Sequence, residues 1–248
     1  MAVEFHRLRL PALACVLLLT GCQAMQNRAL FHPTHHDDDH GLARWTEAGD
    51  VIGFSREVPA PENVWLMLHG NSGQAADRAY ALRVFSPRDT VFIMEYPGYG
   101  QRSGKPSRRS FDRAALAAYQ LLQGRFPGKR ICVAAESIGS GPAATLASTS
   151  PPPGKLVFIV PFADLKDVGR DYSPHAPMGL LLAGSWNNVE ELANYLGPVD
   201  VFGAEDAEVI DVRHARALAA SRPQAIFHLL PGGHNQWADQ PGMSVRGP

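Results

Sequence analysis

Cysteine is scarce in this chain of 248 residues, which holds three, at positions 15, 22 and 132. The first two lie in and just after an apolar amino-terminal run. A domain that folds beyond that run therefore keeps Cys132 without an internal partner, which excludes a disulfide framework. Cys132 sits in an apolar stretch and reads as a small core residue. Net charge is equally lacking: 23 Lys and Arg against 24 Asp and Glu give a formal charge of -1. With no sustained basic stripe, the electrostatic footprint of phosphate-backbone binding is missing, so a nucleic-acid partner is not expected. The basic run Arg102–Arg109 reads as a solvated loop. The apolar run Leu10–Leu19 is too short to span a bilayer as a folded helix. No internal repeat or long low-complexity tract is present, which argues against an array. What remains, at 45% apolar residues, fits one globular domain with a sizeable core.

At the amino terminus, Arg7 and Arg9 precede that short run, which closes on Leu19-Thr20-Gly21-Cys22. This is the layout of a secretory signal, and the last four residues resemble the lipobox of bacterial lipoproteins. The resemblance implies a signal peptide over 1–21 and lipidation of Cys22. It also implies a lipid-anchored place in the cell envelope, with Gln23 pointing to the outer membrane or periplasmic face. More than one acyl chain would supply stable membrane affinity, at about 0.8 kcal/mol per buried methylene. Residues 22–50 read as a tether. Within them, His32-Pro33-Thr34-His35-His36-Asp37-Asp38-Asp39-His40 carries metal-ligand residue types, but nothing downstream offers a matching cluster. It is therefore read as a polar linker, and no metal site is expected.

From residue 51 to 248, short apolar runs alternate with longer amphipathic segments, the signature of βαβ units and a parallel sheet. Strands are expected at Val64–Leu68, Thr90–Met94, Arg130–Glu136, Leu156–Val160, Val199–Phe202 and Ala225–Leu230. Helices are expected over about 74–85, 111–125 and 212–220. Alternation breaks between about 164 and 197, a natural place for a short cap over the carboxyl ends of the strands. The strand at 130–136 leads straight into Ser137-Ile138-Gly139-Ser140-Gly141. A serine in so tight a turn between small neighbours is thrown outward at the top of the sheet, where a nucleophile belongs. His234, in a Gly-rich loop after the last strand, is the base that Ser137 needs. Asp206, after the strand at 199–202, supplies an acid lying between them in sequence. The backbone N–H groups of Asn71 and Ile138 are the natural oxyanion donors.

The stretches His69-Gly70-Asn71-Ser72-Gly73, Tyr96-Pro97-Gly98-Tyr99-Gly100, Glu136-Ser137-Ile138-Gly139-Ser140-Gly141 and Gly232-Gly233-His234-Asn235, in this order, resemble the α/β-hydrolase superfamily. They are most similar to its bud-emergence-type branch of small serine hydrolases, which includes protein depalmitoylases. The resemblance implies an α/β-hydrolase fold with a mostly parallel central sheet flanked by helices. It further implies hydrolysis of a small-molecule or lipid acyl ester or thioester through an acyl-enzyme, with no metal or organic cofactor. The implied roles are nucleophile for Ser137, acid for Asp206 and base for His234.

Two features depart from that pattern. The acid position measured from Gly203 falls on Asp206, but measured from Pro198 or His214 it falls on Ala207, so Glu205 and Glu208 also stand as acids. After His234 the family closes with a long helix, which Pro241, Gly242, Gly247 and Pro248 forbid here. That leaves one face of the sheet with poor cover expected. Both departures keep open a non-catalytic binding module on the same fold. A serine peptidase is a further alternative.

Overall fold

The computed structural model describes residues 27–175, 182 and 184–248. Its centre is an eight-stranded sheet built from β1 (Ala43–Glu47), β2 (Asp50–Arg56), β3 (Val64–Leu68), β4 (Thr90–Met94), β5 (Ile131–Glu136), β6 (Leu156–Ile159), β7 (Val199–Ala204) and β8 (Ala225–Leu230). The spatial order is β1-β2-β4-β3-β5-β6-β7-β8. β2 runs antiparallel to β1 and to β4, and all other neighbours are parallel.

Continuous apolar runs make the central strands because both faces of the sheet are covered there. Along β3 all five residues are buried, and they divide between two cores. Val64, Leu66 and Leu68 join Val133, Ala135, Phe158 and Val201 on one face, while Trp65 and Met67 join Cys132, Ala134, Val157 and Phe202 on the other. On the first face lies α1 (Arg108–Arg125), which buries Phe111, Ala114, Ala115, Ala118, Tyr119 and Leu122, the i, i+3, i+4 stripe of an amphipathic helix. It starts three residues before the expected Phe111. Ser107 caps it, accepting from Ser110 N–H at 3.1 Å while Ser110 Oγ accepts from Ser107 N–H at 3.0 Å.

Several expectations change in the folded chain. The helix expected over about 74–85 is a 3-10 helix at Ala75–Val84, whose start is tightened by Asp77 Oδ2 accepting from Gln74 N–H at 2.9 Å. In the cap region, where no long helix was expected, α2 (Leu165–Tyr172) is a short one of eight residues, with Asp164 accepting from Lys166 N–H. Residues 176–181 and 183 of the cap, and the predicted signal peptide with Cys22, lie outside the described residues.

For residues 31–47 the reading as a tether is corrected. Phe31 is buried against Phe111 with ring centroids 4.8 Å apart, His32–Pro33 pairs with Ser72–Gly73, and Ala43–Glu47 is the edge strand β1. Only Trp45 of β1 is buried, so the strand carries almost no alternating signal of its own.

The carboxyl-terminal segment is corrected as well. No long helix follows His234, yet the second face does not lack cover. Trp237, fully buried in a single 3-10 turn (Trp237–Asp239), packs on Tyr80, and the tail returns so that Val245 N–H donates to Val84 O at 2.8 Å. One indole thus fills much of the space a helix would otherwise occupy. Trp237→Ala is expected to lower stability by about 3–5 kcal/mol in urea unfolding, whereas Leu196→Ser, on an exposed side chain, should leave it unchanged.

Candidate active site

The parallel register sets Leu68 beside Ala135, Glu136 beside Ile159, Ile159 beside Phe202 and Ala204 beside Leu230. The carboxyl ends of β3, β5, β6, β7 and β8 therefore share one edge, and the loops carrying Asn71, Ser137, Asp206 and His234 all leave from it.

Ser137 follows β5 directly and has φ of 52°. That left-handed conformation is costly for a residue with a side chain, on the order of 1–3 kcal/mol, and persists only where its surroundings enforce it. Two contacts do so. Ser140 Oγ donates to Ser137 O at 2.6 Å and in turn accepts from Asn188 Nδ2 at 3.0 Å. Gly139 lies so close to β3 that a Cβ there would meet the carbonyl oxygens of Leu68 and His69. The strained turn leaves Ser137 Oγ 3.0 Å from His234 Nε2. Both residues are nearly sealed from water, at 6% and 4% exposure.

Burial pushes the His234 imidazole below its ordinary pKa of 6.5, opposed by the negative charges of Glu136 and Glu208. The resting ring is thus held neutral, with Nε2 free to accept a proton. Its other nitrogen, Nδ1, has no hydrogen-bond partner among the described residues.

Asp206, expected as the partner of that nitrogen, is exposed and is held by its backbone, whose N–H donates to Gly232 O at 3.1 Å. Glu205 N–H donates likewise to Leu230 O at 2.9 Å and its side chain is also exposed. These ladder-like bonds extend the β7–β8 pairing past Ala204, and both acidic side chains remain in solvent. Glu208 is exposed as well, but its carboxylate is the one that reaches the main chain of the histidine. Its Oε2 accepts from His234 N–H at 3.2 Å. A backbone bond of Glu208 itself, together with this contact, holds its carboxyl below the ordinary range. Asp206, expected as the orienting acid, makes no hydrogen bond to His234 among the described residues; of the three acidic residues, Glu208 is the one in contact with His234, and the contact is to its main chain.

The two residues expected to supply oxyanion amides sit in separate loops at this edge of the sheet. Ile138 is the next residue in the turn. Asn71 is pinned by its carbonyl, which accepts from Tyr99 Oη at 2.7 Å and from His32 N–H at 2.9 Å, and by its side chain, which donates to Leu30 O at 3.0 Å. His69 is a structural residue, fully buried, with Nε2 3.3 Å from Glu95 Oε1 and Nδ1 2.8 Å from Gly70 O. Tyr96 Oη donates to His69 O at 2.9 Å. His214 and His228 are engaged elsewhere, by Asp171 at 2.8 Å and Asp200 at 3.3 Å.

The sequence reading passed over Glu136 and Arg78. Glu136, one residue before the serine, is buried and accepts from Arg78 Nε at 2.8 Å and from Gly70 N–H at 3.1 Å. Arg78 also donates to Ser72 O at 2.9 Å. Burial alone would push the Glu136 carboxyl up, but the guanidinium and the Gly70 amide outweigh it and hold the group ionised. The pair ties the serine turn to the loop of Asn71. A glutamate in the elbow and an arginine in the much earlier 3-10 helix carry no spacing signal, because the two are 58 residues apart.

Two measurements follow. Arg78→Leu should destabilise the fold by about 3–5 kcal/mol in chemical denaturation, since it leaves Glu136 buried and unpaired. An NMR titration should place His234 below 6.5, and Glu208→Gln should move it lower still, because removing a negative charge disfavours the imidazolium.

No protein-family model matches the chain. Among curated proteins it is 33% identical over 175 residues to an uncharacterised protein of Mycobacterium tuberculosis, covering 68% of this chain and 62% of that one. It is 30% identical over 187 residues to the α/β-hydrolase domain-containing protein aho-3 of Caenorhabditis elegans, covering 73% and 54%. It is 27% identical over 203 residues to the lysophosphatidylserine lipase ABHD12 of Danio rerio, covering 74% and 53%. The chain thus spans a little over half to about three-fifths of the length of these relatives. Solved structures with the same fold include the Pyrococcus furiosus esterase Pf2001, with TM-score 0.61, 15% identity, and 83% and 90% of the two chains covered. Another is the thioesterase domain from the curacin biosynthetic pathway, with TM-score 0.58, 16% identity, and 80% and 95% covered. The strand order, the serine turn after β5 and these likenesses make the chain an α/β-hydrolase-fold protein of the α/β-hydrolase superfamily.

Proposed function

We propose that the protein is a serine hydrolase that cleaves carboxylic esters or thioesters through an acyl-enzyme. The observation that carries this reading is the strained Ser137 with its Oγ 3.0 Å from His234 Nε2. In the acylation step Ser137 Oγ attacks the carbonyl carbon and its proton passes to His234 Nε2. The oxyanion forms against the N–H groups of Asn71 and Ile138, each such donor typically worth roughly 3–4 kcal/mol. Collapse breaks the bond to the alcohol or thiol, which takes the proton from His234. Water then repeats the sequence on the acyl-serine and restores the free hydroxyl.

The imidazolium formed on the way lies near two carboxylates, Glu136 and Glu208, whose charges favour it. Glu208 acts in this reading as a positioning residue through the His234 main chain, and Asp206 is given no part. The names of relatives and neighbours, a lipase, an esterase and a thioesterase domain, support the reaction class.

Lipid anchoring at Cys22, facing the periplasm or outer membrane, completes the proposal, on the strength of Leu19-Thr20-Gly21-Cys22. No helix among the described residues is long and apolar enough to cross a membrane. A second reading, a binding module without turnover, rests on the unpartnered Nδ1 of His234.

A fluorophosphonate probe separates the two. Labelling is expected in the wild type and in Asp206→Asn within about twofold, slower in Glu208→Gln, and absent in Ser137→Ala. In His234→Ala it should fall by at least about a thousandfold. A folded wild type that stays unlabelled and hydrolyses no p-nitrophenyl ester would establish the binding module instead, and peptide turnover exceeding ester turnover would mark a peptidase.

A further inference from the structure

The entry segment raises a question the serine site does not answer. Residues 32–40 are rich in histidine and aspartate, yet they are held against the domain by several hydrogen bonds. Thr34 N–H donates to Gly73 O at 3.1 Å, His36 N–H to Gln74 Oε1 at 3.1 Å, and His35 Nδ1 lies 2.8 Å from Gly100 O. At His40 and Gly41 the backbone turns through positive φ, 49° and 77°, which folds the chain back so that the His40 ring stands edge-on to that of His36, with centroids 5.9 Å apart.

Both rings face one carboxylate from a different part of the chain. His36 Nε2 is 2.8 Å and His40 Nε2 is 3.6 Å from the same oxygen, Asp77 Oδ1. The other oxygen, Oδ2, is occupied by the cap of the 3-10 helix, accepting from Gln74 N–H at 2.9 Å, with Thr34 Oγ1 at 3.4 Å. Asp77 is thereby fixed in orientation before any ligand arrives.

We propose that His36, His40 and Asp77 form a binding site for a divalent transition-metal ion of the Zn2+ class. Their three ligand atoms lie within 4.8 Å of one another. Tetrahedral ligation with bonds of about 2.0–2.1 Å needs donors roughly 3.3 Å apart, so closure asks for a shift of at most about 1.5 Å in exposed side chains. Two imidazoles and one carboxylate suit Zn2+ and its neighbours, whereas Ca2+ and Mg2+ ask for oxygen throughout. Behind the ligands stand groups able to orient them. Asp38 Oδ2 is 3.4 Å from His40 Nδ1, and the Gln74 side-chain amide is 3.2 Å from His36 Nδ1, where rotation about its terminal bond presents either a donor or an acceptor. The fourth position is open to solvent. A bound ion would staple the entry segment to the start of the 3-10 helix, next to the loop that carries Asn71. The site stands independently of the hydrolytic reading.

Isothermal titration of Zn2+ into the full protein without a histidine tag tests this, together with thermal unfolding. Saturable binding of one ion per chain and a raised Tm are expected, weakening as acid protonates the imidazoles. His40→Ala should weaken binding by at least about tenfold, while His35→Ala should bind as the wild type does. Asp77 also caps a helix, so its replacement can cost stability. His40 is exposed, and circular dichroism of His40→Ala verifies that the fold is kept. Absence of saturable binding, or equal affinity in the wild type and a folded His36→Ala/His40→Ala double variant, would overturn the site.

Discussion

Glu136 is buried one residue before a serine in a left-handed turn, and it stays ionised there because Arg78 meets it at 2.8 Å. An unpaired carboxylate at that depth would protonate or bring in water, and either would loosen the turn. The same oxygen accepts from Gly70 N–H, and Arg78 reaches on to Ser72 O. One ion pair therefore fixes the distance between the strand that carries Ser137 and the loop that carries Asn71. The wider arrangement at the carboxyl edge of the sheet hangs on it: the Ser137 turn, the Asn71 loop and, through its negative charge, the electrostatics of His234.

Around that pair the protein builds its site from short elements. The 3-10 helix supplies Arg78 on one side and Asp77 on the other, so a single turn of chain serves the buried ion pair and the exposed histidine cluster. The entry segment threads between the Asn71 loop and Gly100, and its hydrogen bonds hold that loop from outside as Arg78 holds it from within. At the other end of the chain, Trp237 and the returning tail perform with a few residues the covering role of a terminal helix.

Much of this was legible in the sequence where local pattern carries the information. The central strands are unbroken apolar runs because both faces of a parallel sheet are covered, and Val64–Leu68, Thr90–Met94 and Ala225–Leu230 match their expected limits. Ser137 was visible because a tight turn demands small neighbours. β1 was not, since one buried residue in five leaves no period to read. The 3-10 character of Ala75–Val84 was hidden too, for alanines suit either helix.

What the sequence determined by itself is the fold class, the serine turn and the order of the loops, all properties of residues close in the chain. Tertiary structure alone decided which carboxylate stands at His234. Two main-chain bonds past the end of β7 hold the backbone at Asp206, and two residues later Glu208 Oε2 accepts from His234 N–H, a choice made by β-pairing geometry and not by spacing. It likewise decided that Glu136 would find Arg78 and that His36 and His40 would find Asp77. Each of those meetings joins residues from 37 to 58 positions apart, and only the folding of separate segments onto one sheet edge sets such distances.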